Sequence, residues 1–319
     1  MYNGRPVFAP DILKEQEVDK IVILTNCYKE IVEQIQEYYS EKMNCIENKY
    51  YFDKEDLFNR YANSQDPEIL NILEYIQNHD LTNFNYEFVD KYKNMEMEIY
   101  FDDKCGMYYA IYNNKRMYFS REINTYQKAE NYYRQILLEQ DIESPHRYLT
   151  SDFNVREGDI VVDVGVAEGN FALDVIDKVK KIYLIEVDEG WIQALKETFK
   201  ENLDKVVIID KYVTSLTKGK YATLDSIIDE SVNFIKMDIE GNEWDALLGA
   251  ENLIRRSSGI RCAVCSYHRP FDEVLIKDVL ERYGLECSTS PGYMWFHEIT
   301  YNTMVRSWLL RGIVRGINI

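Results

Sequence analysis

From about residue 155 onward the chain alternates strictly between short β-rich runs and helical stretches, and no other feature constrains its fold as much. The runs cover 160–164, 182–185, 206–209, 233–237 and 260–266. Between them apolar residues recur at i, i+3, i+4 and i+7. The first helical stretch has Ala172, Val175, Ile176 and Val179, and a later one has Ile276, Val279, Leu280 and Tyr283. Strands alternating with helices mean β-α-β units, hence a mostly parallel sheet covered on both faces. Ligands of such sheets sit outside the carboxyl ends of the strands. Residues 285–289, Pro291-Gly292 and 293–297 then read as an antiparallel hairpin. The expected class is α/β, a Rossmann-like doubly wound sheet closed by that hairpin.

Before residue 150 lie 19 of the 26 tyrosines but only Gly4 and Gly106; the other 12 glycines follow. Glycine gathers where turns are tight, so the second half carries the closely built loops. Three segments are expected: a smaller mixed α+β domain over 1–142, the α/β domain over 143–300, and a basic tail over 301–319 with Arg306, Arg311 and Arg315. In the first segment, 21–24 reads as a strand leading into a helix with Ile31, Ile35 and Tyr38 on one face. A second amphipathic helix spans 66–78 (Ile69, Leu70, Leu73, Ile76). Runs 97–101, 107–112 and 116–119 alternate as strands, with Asn113-Asn114 as a hairpin turn, and 125–140 reads as a helix. The opening β-α unit resembles the closing half of a small Rossmann-like module of the kind found ahead of catalytic domains in bacterial glycan enzymes. Its preceding strand and Gly-rich turn are missing, so no nucleotide site is assigned to it. The tyrosine excess fits a sugar-stacking platform or a codon-composition bias, since Lys, Asn, Ile and Glu are abundant too.

Lysine and arginine number 37 against 55 acids, a net charge of −18 in 319 residues. A field of that sign repels phosphates and anionic lipids, so nucleic acid is not an expected partner. No apolar run approaches the roughly 18–20 residues needed to cross a bilayer, and residues 1–16 lack a basic start followed by an apolar stretch. The expected location is the cytoplasm. Six scattered cysteines (Cys27, Cys45, Cys105, Cys262, Cys265, Cys287) read as free thiols rather than a disulfide scaffold. Cys262 and Cys265 are not assigned zinc: no second pair follows, and residues three apart on a strand face opposite ways.

The strongest local motif is V-V-D-V-G-V-A-E-G-N at 161–170. A buried strand ends in a turn with Gly165 and Gly169, and a helix starts at once, presenting backbone N–H groups to a ligand without Cβ obstruction. Asp163 lies near the strand end. Glu186 closes the next strand 23 residues later, where a carboxylate can accept both hydroxyls of a ribose. The spacing also suits a dinucleotide, but G-x-G-x-x-G is not met, because Ala167 holds the middle position. The second motif is F-I-K-M-D-I-E-G-N-E at 234–243. Asp238 and Glu240 leave the fourth strand two apart, able to reach one side of the cleft, and can hold a hydroxyl, take its proton or bind a cation. The competing structural role has Asp238 capping the next helix and Glu240 paired with Lys236. His268, in C-S-Y-H-R-P, follows the fifth strand on the side where both acids emerge.

Together D-V-G-V-A-E-G-N-F, I-E-V-D, A-T-L-D-S-I, I-K-M-D-I-E-G-N-E with L-L-G-A, and Y-H-R-P are similar to the FkbM-type family of S-adenosylmethionine-dependent methyltransferases, over about residues 143–298. The resemblance implies methyl transfer to oxygen, commonly a hydroxyl of a sugar or polyketide. It implies that Asp163, Gly165, Gly169, Asn170 and Glu186 bind S-adenosylmethionine, with Val213 near adenine, and that Asp238, Glu240 and His268 face the acceptor. Glu168 and Asn170 depart from the simpler residues of many members. A neutral hydroxyl needs a base as the bond forms, and an imidazole near pKa 6.5 suits that role, so His268 is the expected base. His146, Arg147 and Arg269 are the candidates for holding the rest of the substrate. A divalent cation on Asp238 and Glu240 would need further oxygen ligands. The leading expectation is an O-methyltransferase on a nucleotide sugar or surface glycan, with no transmembrane segment. Alternatives are a methyltransferase of non-sugar small molecules, a dinucleotide enzyme, and a non-catalytic module that kept the cofactor pocket. Nothing in the sequence fixes the oligomeric state.

Overall fold

Seven strands build the central sheet of the protein, seen here in a computed structural model that describes residues 13, 17, 21–22, 28–47, 50–299 and 305–318. Contacts divide the chain into one unit of residues 1–82 and 297–307 and a larger unit of residues 83–296 and 308–319.

In the larger unit two short helical turns, Glu87–Val89 and Asp90–Lys93, precede an antiparallel sheet of β1 (Ile99–Asp102), β2 (Met107–Tyr112) and β3 (Lys115–Tyr118). Asn113 and Asn114 turn the β2–β3 hairpin at φ 47° and 62°, the left-handed pair that a two-residue turn of this hand requires and asparagine tolerates. Helix α1 (Tyr126–Glu139) follows, capped by Thr125, whose hydroxyl accepts the Lys128 N–H at 3.2 Å. Then come β4 (Ile160–Val164), α2 (Asn170–Val175), β5 (Lys181–Ile185), α3 (Glu189–Thr198), β6 (Val206–Ile209), β7 (Phe234–Met237), α4 (Glu243–Leu248), β8 (Arg261–Cys265), α5 (Asp272–Arg282), β9 (Glu286–Thr289) and β10 (Ile313–Ile317). The order across the sheet is β9-β10-β8-β7-β4-β5-β6. Neighbours from β8 through β6 run parallel, and β10 runs antiparallel to both β8 and β9. Beyond β4 the chain steps outward first through β5 and β6, then back through β7 and β8. The carboxyl end of β4 is therefore a topological switch point, where such sheets open a ligand crevice.

Alternation along each strand fills two cores. Val161, Ile182, Leu184, Phe234 and Cys265 face one; Val162, Tyr183, Ile235, Cys262 and Val264 face the other. Cys262 and Cys265 thus lie on opposite faces, and Cys105, Cys262, Cys265 and Cys287 are free thiols. Cys27 and the side chain of Cys45 fall outside the described residues.

Two expectations need correction. The sheet is not closed by a hairpin of 285–289 with 293–297: β9 pairs with β10, Glu286 opposite Ile317 and Thr289 opposite Val314. The strand that fills this slot comes from the segment read as a basic tail. Its Ile313 and Val314 are fully buried, while Arg315 Nη2 donates to the Arg147 carbonyl at 2.8 Å. The unit boundary also falls at Thr82–Asn83 rather than at residue 142. Met117 and Phe119, beside the hairpin, and Ala129 and Ile136 of α1 share one core with Val161 and Phe171, so they cannot belong to a separate body.

In the smaller unit a helix spans Pro67–Asn78, its N-terminus capped by Asp66, which accepts from Glu68 N at 2.9 Å. It buries Ile69, Ile72, Leu73 and Ile76; Leu70 is exposed. Ile21–Val22 pairs with Ile46–Glu47 in parallel, and the intervening helix Tyr28–Tyr38 buries Ile35 while Tyr38 points outward. No helix among the described residues is long and apolar enough to cross a membrane.

Candidate active site

At the carboxyl ends of β4, β5 and β7 lies a cavity of about 660 Å³. Its floor is the turn after β4. Gly165 (φ 75°), Ala167 (φ 48°) and Gly169 (φ 85°) are all left-handed. A Cβ on Gly165 would lie 1.8 Å from the Asp238 carbonyl oxygen, so only glycine lets the turn pass this close to the end of β7. Gly169 answers a different need: its Cβ would press on Leu195 and Phe199 of the neighbouring helix segment.

Glu186 clamps the turn. One carboxylate oxygen accepts from Ala167 N at 2.9 Å, the other from Val187 N and Asp188 N at 2.7 and 2.9 Å. Asp163 does not line the cavity. It is wholly buried beneath the turn, 3.1 Å from Lys236 Nζ, which in turn donates to the Gly165 carbonyl. Burial pushes the Asp163 carboxyl up to about 6 against the opposing pull of Lys236. The pair ties the turn to β7. Gly165, Asn170, Glu186 and Val213 all line the cavity, and Asn242 Nδ2 donates to the Val213 carbonyl at 2.9 Å.

Asp238 is the hub of the other half. Its carboxylate accepts from Tyr148 at 2.8 Å and from Tyr267 at 3.3 Å, with His146 Nε2 and His268 Nε2 each 3.5 Å away. Burial opposes its ionisation, but His146, Lys236 and His268 outweigh it and hold Asp238 far below the usual carboxylate range. Glu240 lines the same cavity but sits at its mouth. The strand ends at Met237, Glu240 turns at φ 56°, and its side chain is 94% exposed at the rim. Neither role foreseen for a purely structural pair is seen, because Lys236 binds Asp163 and Asn242 begins α4.

Sequence reasoning missed Glu243. It is fully buried and accepts from Ile239 N at 2.8 Å and Gly241 N at 3.3 Å, holding the loop after β7. The same oxygen stands 3.1 Å from His268 Nδ1. His268 Nε2 lies toward Asp238 and, at 3.7 Å, Glu240; neither ring nitrogen makes a hydrogen bond with a described residue. Burial alone would lower the imidazole pKa, yet Glu243, with Asp238 and Glu240, raises it above the ordinary value. The second Glu of D-I-E-G-N-E was the available signal. Tyr148 and Tyr267 were equally visible, as neighbours of the two histidines.

His146 is buried behind Asp238, with Cys265 Sγ 3.6 Å from its Nε2. Arg147 faces a separate cavity, donating to the Leu149 and Gln140 carbonyls, and Arg269 is exposed outside the lining. Two groups, His146–Asp238–Cys265 and Asp238–Glu243–His268, bring ligand atoms within 4.8 Å of one another; Glu240 is in neither.

A family model of the methyltransferase FkbM domain matches residues 109–288. No curated protein sequence matches the chain. Among solved structures, the chain is similar to the methyltransferase FkbM of Methylobacillus flagellatus KT at 17% identity, covering 92% of this chain and 72% of that one with a TM-score of 0.45. It is also similar to precorrin-6y C5,15-methyltransferase of Geobacter metallireducens GS-15 (11% identity, 53% and 85% covered, TM-score 0.37). A third is SMU.1697c of Streptococcus mutans, in complex with SAH (14% identity, 51% and 90% covered, TM-score 0.35). Matched over more than half its length by the family model, this chain belongs to the FkbM methyltransferase domain family and is a methyltransferase.

Proposed function

We propose that the protein transfers a methyl group from S-adenosylmethionine to a hydroxyl of a sugar. The observation that carries this reading is one cavity lined both by the Glu186-clamped glycine turn and by Asp238, Tyr148 and Tyr267, with His268, itself outside the lining, 3.5 Å from Asp238. The cavity volume falls in the roughly 300–1,000 Å³ range of small-molecule sites. The carboxylate of Glu186, on the cavity wall beside the glycine turn, fits a nucleoside with a free ribose diol. Gly165, Asn170, Glu186 and Val213 would hold it. When bound, the cofactor supplies a methyl on a sulfonium, already a good leaving group.

The residues then have to align and deprotonate the acceptor oxygen. Asp238, kept ionised by its neighbours, accepts a hydrogen bond from the hydroxyl and fixes its direction. His268 Nε2, between Asp238 and Glu240 and without a hydrogen bond of its own, receives the proton. Glu243 stabilises the imidazolium so formed. The test is a methyl-transfer screen over sugars, nucleotide sugars, phenols and peptides, read as adenosylhomocysteine with mass spectrometry of the product. His268→Ala should lower turnover by about 10²–10⁴ with cofactor affinity unchanged. Methylation of nitrogen with no sugar product, or a His268→Ala variant at half the wild-type rate, refutes the assignment it addresses.

A further inference from the structure

The cavity wall is acidic, and one of its acids has no counterpart. Glu139, Glu168, Glu186, Asp238 and Glu240 line it against Lys211 and Lys236. Both lysines are engaged, Lys236 by Asp163 and Lys211 by the Gly219 carbonyl at 2.8 Å. Four of the acids are accounted for as well. Backbone N–H groups satisfy Glu186, and Tyr132 donates to Glu168 at 2.6 Å. Histidines and tyrosines surround Asp238, and Glu240 opens to solvent. Glu139 makes no hydrogen bond or ion pair with any described residue.

Its position makes that costly. Glu139 is the last residue of α1, where the helix dipole presents its negative end and disfavours an anion. Burial raises its carboxyl pKa, and Asp238 and Glu240 push the same way against His146. A part-buried carboxylate at a helix C-terminus, beside other carboxylates, is relieved by a cation, and no described residue forms an ion pair with it.

We propose that Glu139 binds a cationic group, an ammonium, carried by the methyl acceptor, so that the preferred substrate is an amino sugar or similar amino alcohol and not a phosphate ester. This rests on the reading of the cavity as the methyl-transfer site; the amine is held, and the hydroxyl remains the group methylated. The placement of Arg147 and Arg269 outside the lining supports the second half, since a phosphate would meet no free arginine in the cavity.

The experiment titrates the full chain, saturated with S-adenosylhomocysteine, with glucosamine, glucose and glucose 6-phosphate in a calorimeter. Glucosamine should bind at least about tenfold tighter than glucose, and glucose 6-phosphate most weakly. Glu139→Gln should weaken glucosamine by about ten- to a hundredfold, leave glucose unchanged and leave S-adenosylhomocysteine affinity intact; Glu139→Asp should keep the preference. Equal binding of glucosamine and glucose, no binding of glucosamine at millimolar concentration, or tightest binding of the phosphate overturns the proposal. So does a Glu139→Gln variant that loses S-adenosylhomocysteine instead, which would make the cation the cofactor's own. Failure of the wild type to bind S-adenosylhomocysteine would count against the methyl-transfer site itself, and the three sugars titrated without it still read Glu139.

Discussion

Gly165→Ala is the perturbation that most directly probes how the turn and the end of β7 are built together. Alanine must adopt φ 75°, which costs an L-residue roughly 1–2 kcal/mol. Its methyl would sit 1.8 Å from the Asp238 carbonyl oxygen and 2.8 Å from the carbonyl carbon, both backbone atoms that cannot rotate away. Turn and strand end must separate by more than about 1 Å to reach van der Waals contact, and forced overpacking of this kind typically adds about 1–3 kcal/mol. The expected loss is about 2–5 kcal/mol. The displaced atom belongs to Asp238, so turnover should fall too, about a hundredfold for a misplacement near 1 Å. Gly219→Ala is the control: φ is 63°, yet nothing lies within 4 Å of the added methyl, so only the conformational cost of about 1–2 kcal/mol applies. Urea unfolding of both variants, with calorimetry of S-adenosylhomocysteine, gives the comparison. Equal midpoint shifts in the two, with cofactor affinity kept in Gly165→Ala, would show that the close approach is not there.

Glu186→Ala should weaken S-adenosylmethionine about ten- to a hundredfold by calorimetry, through the lost ribose contact and the unclamped turn; unchanged affinity in a folded variant removes Glu186 from the site. Glu243→Gln tests the orientation of His268. The base acts when neutral, so its raised pKa places the acidic limb of kcat above pH 6.5, and losing the nearest carboxylate should move that limb to lower pH with a lower plateau. The linked stability has a defined sign: it is full below about pH 6.5, is lost as pH rises through the folded-state value, and should shrink in the variant, where only Asp238 and Glu240 still raise the imidazole pKa. Buried Asp159 stands 2.7 Å from buried Arg261, so Asp159→Ala leaves an unpaired guanidinium and should cost about 3–5 kcal/mol in urea unfolding, with cofactor affinity kept because neither residue lines the cavity.

Periodicity and turn chemistry are local, and what they control was legible in the sequence. The five parallel strands, the Asn113-Asn114 hairpin and helix α1 follow from residues within a few positions of one another, and so does the glycine turn at 165–169. Glu186, Asp238 and His268 could be placed near it because the ends of parallel strands meet on one side of a sheet. Pairing across long sequence separation obeys no such local signal. Ile313–Ile317 has the same apolar character as 293–297, and only the slot between β8 and β9 selects it as the antiparallel strand. Spacing likewise gave no account of charge balance. Asp163 and Glu186 looked alike as acids at strand ends, yet burial gives one to Lys236 and the other to three backbone N–H groups. Glu240 and Glu243 share one short motif, and two successive left-handed residues, Glu240 and Gly241, send the first to solvent while the helix start buries the second against His268. Partnerships of this kind depend on which desolvated groups the closed fold brings within about 3–4 Å, a distance set by every strand at once.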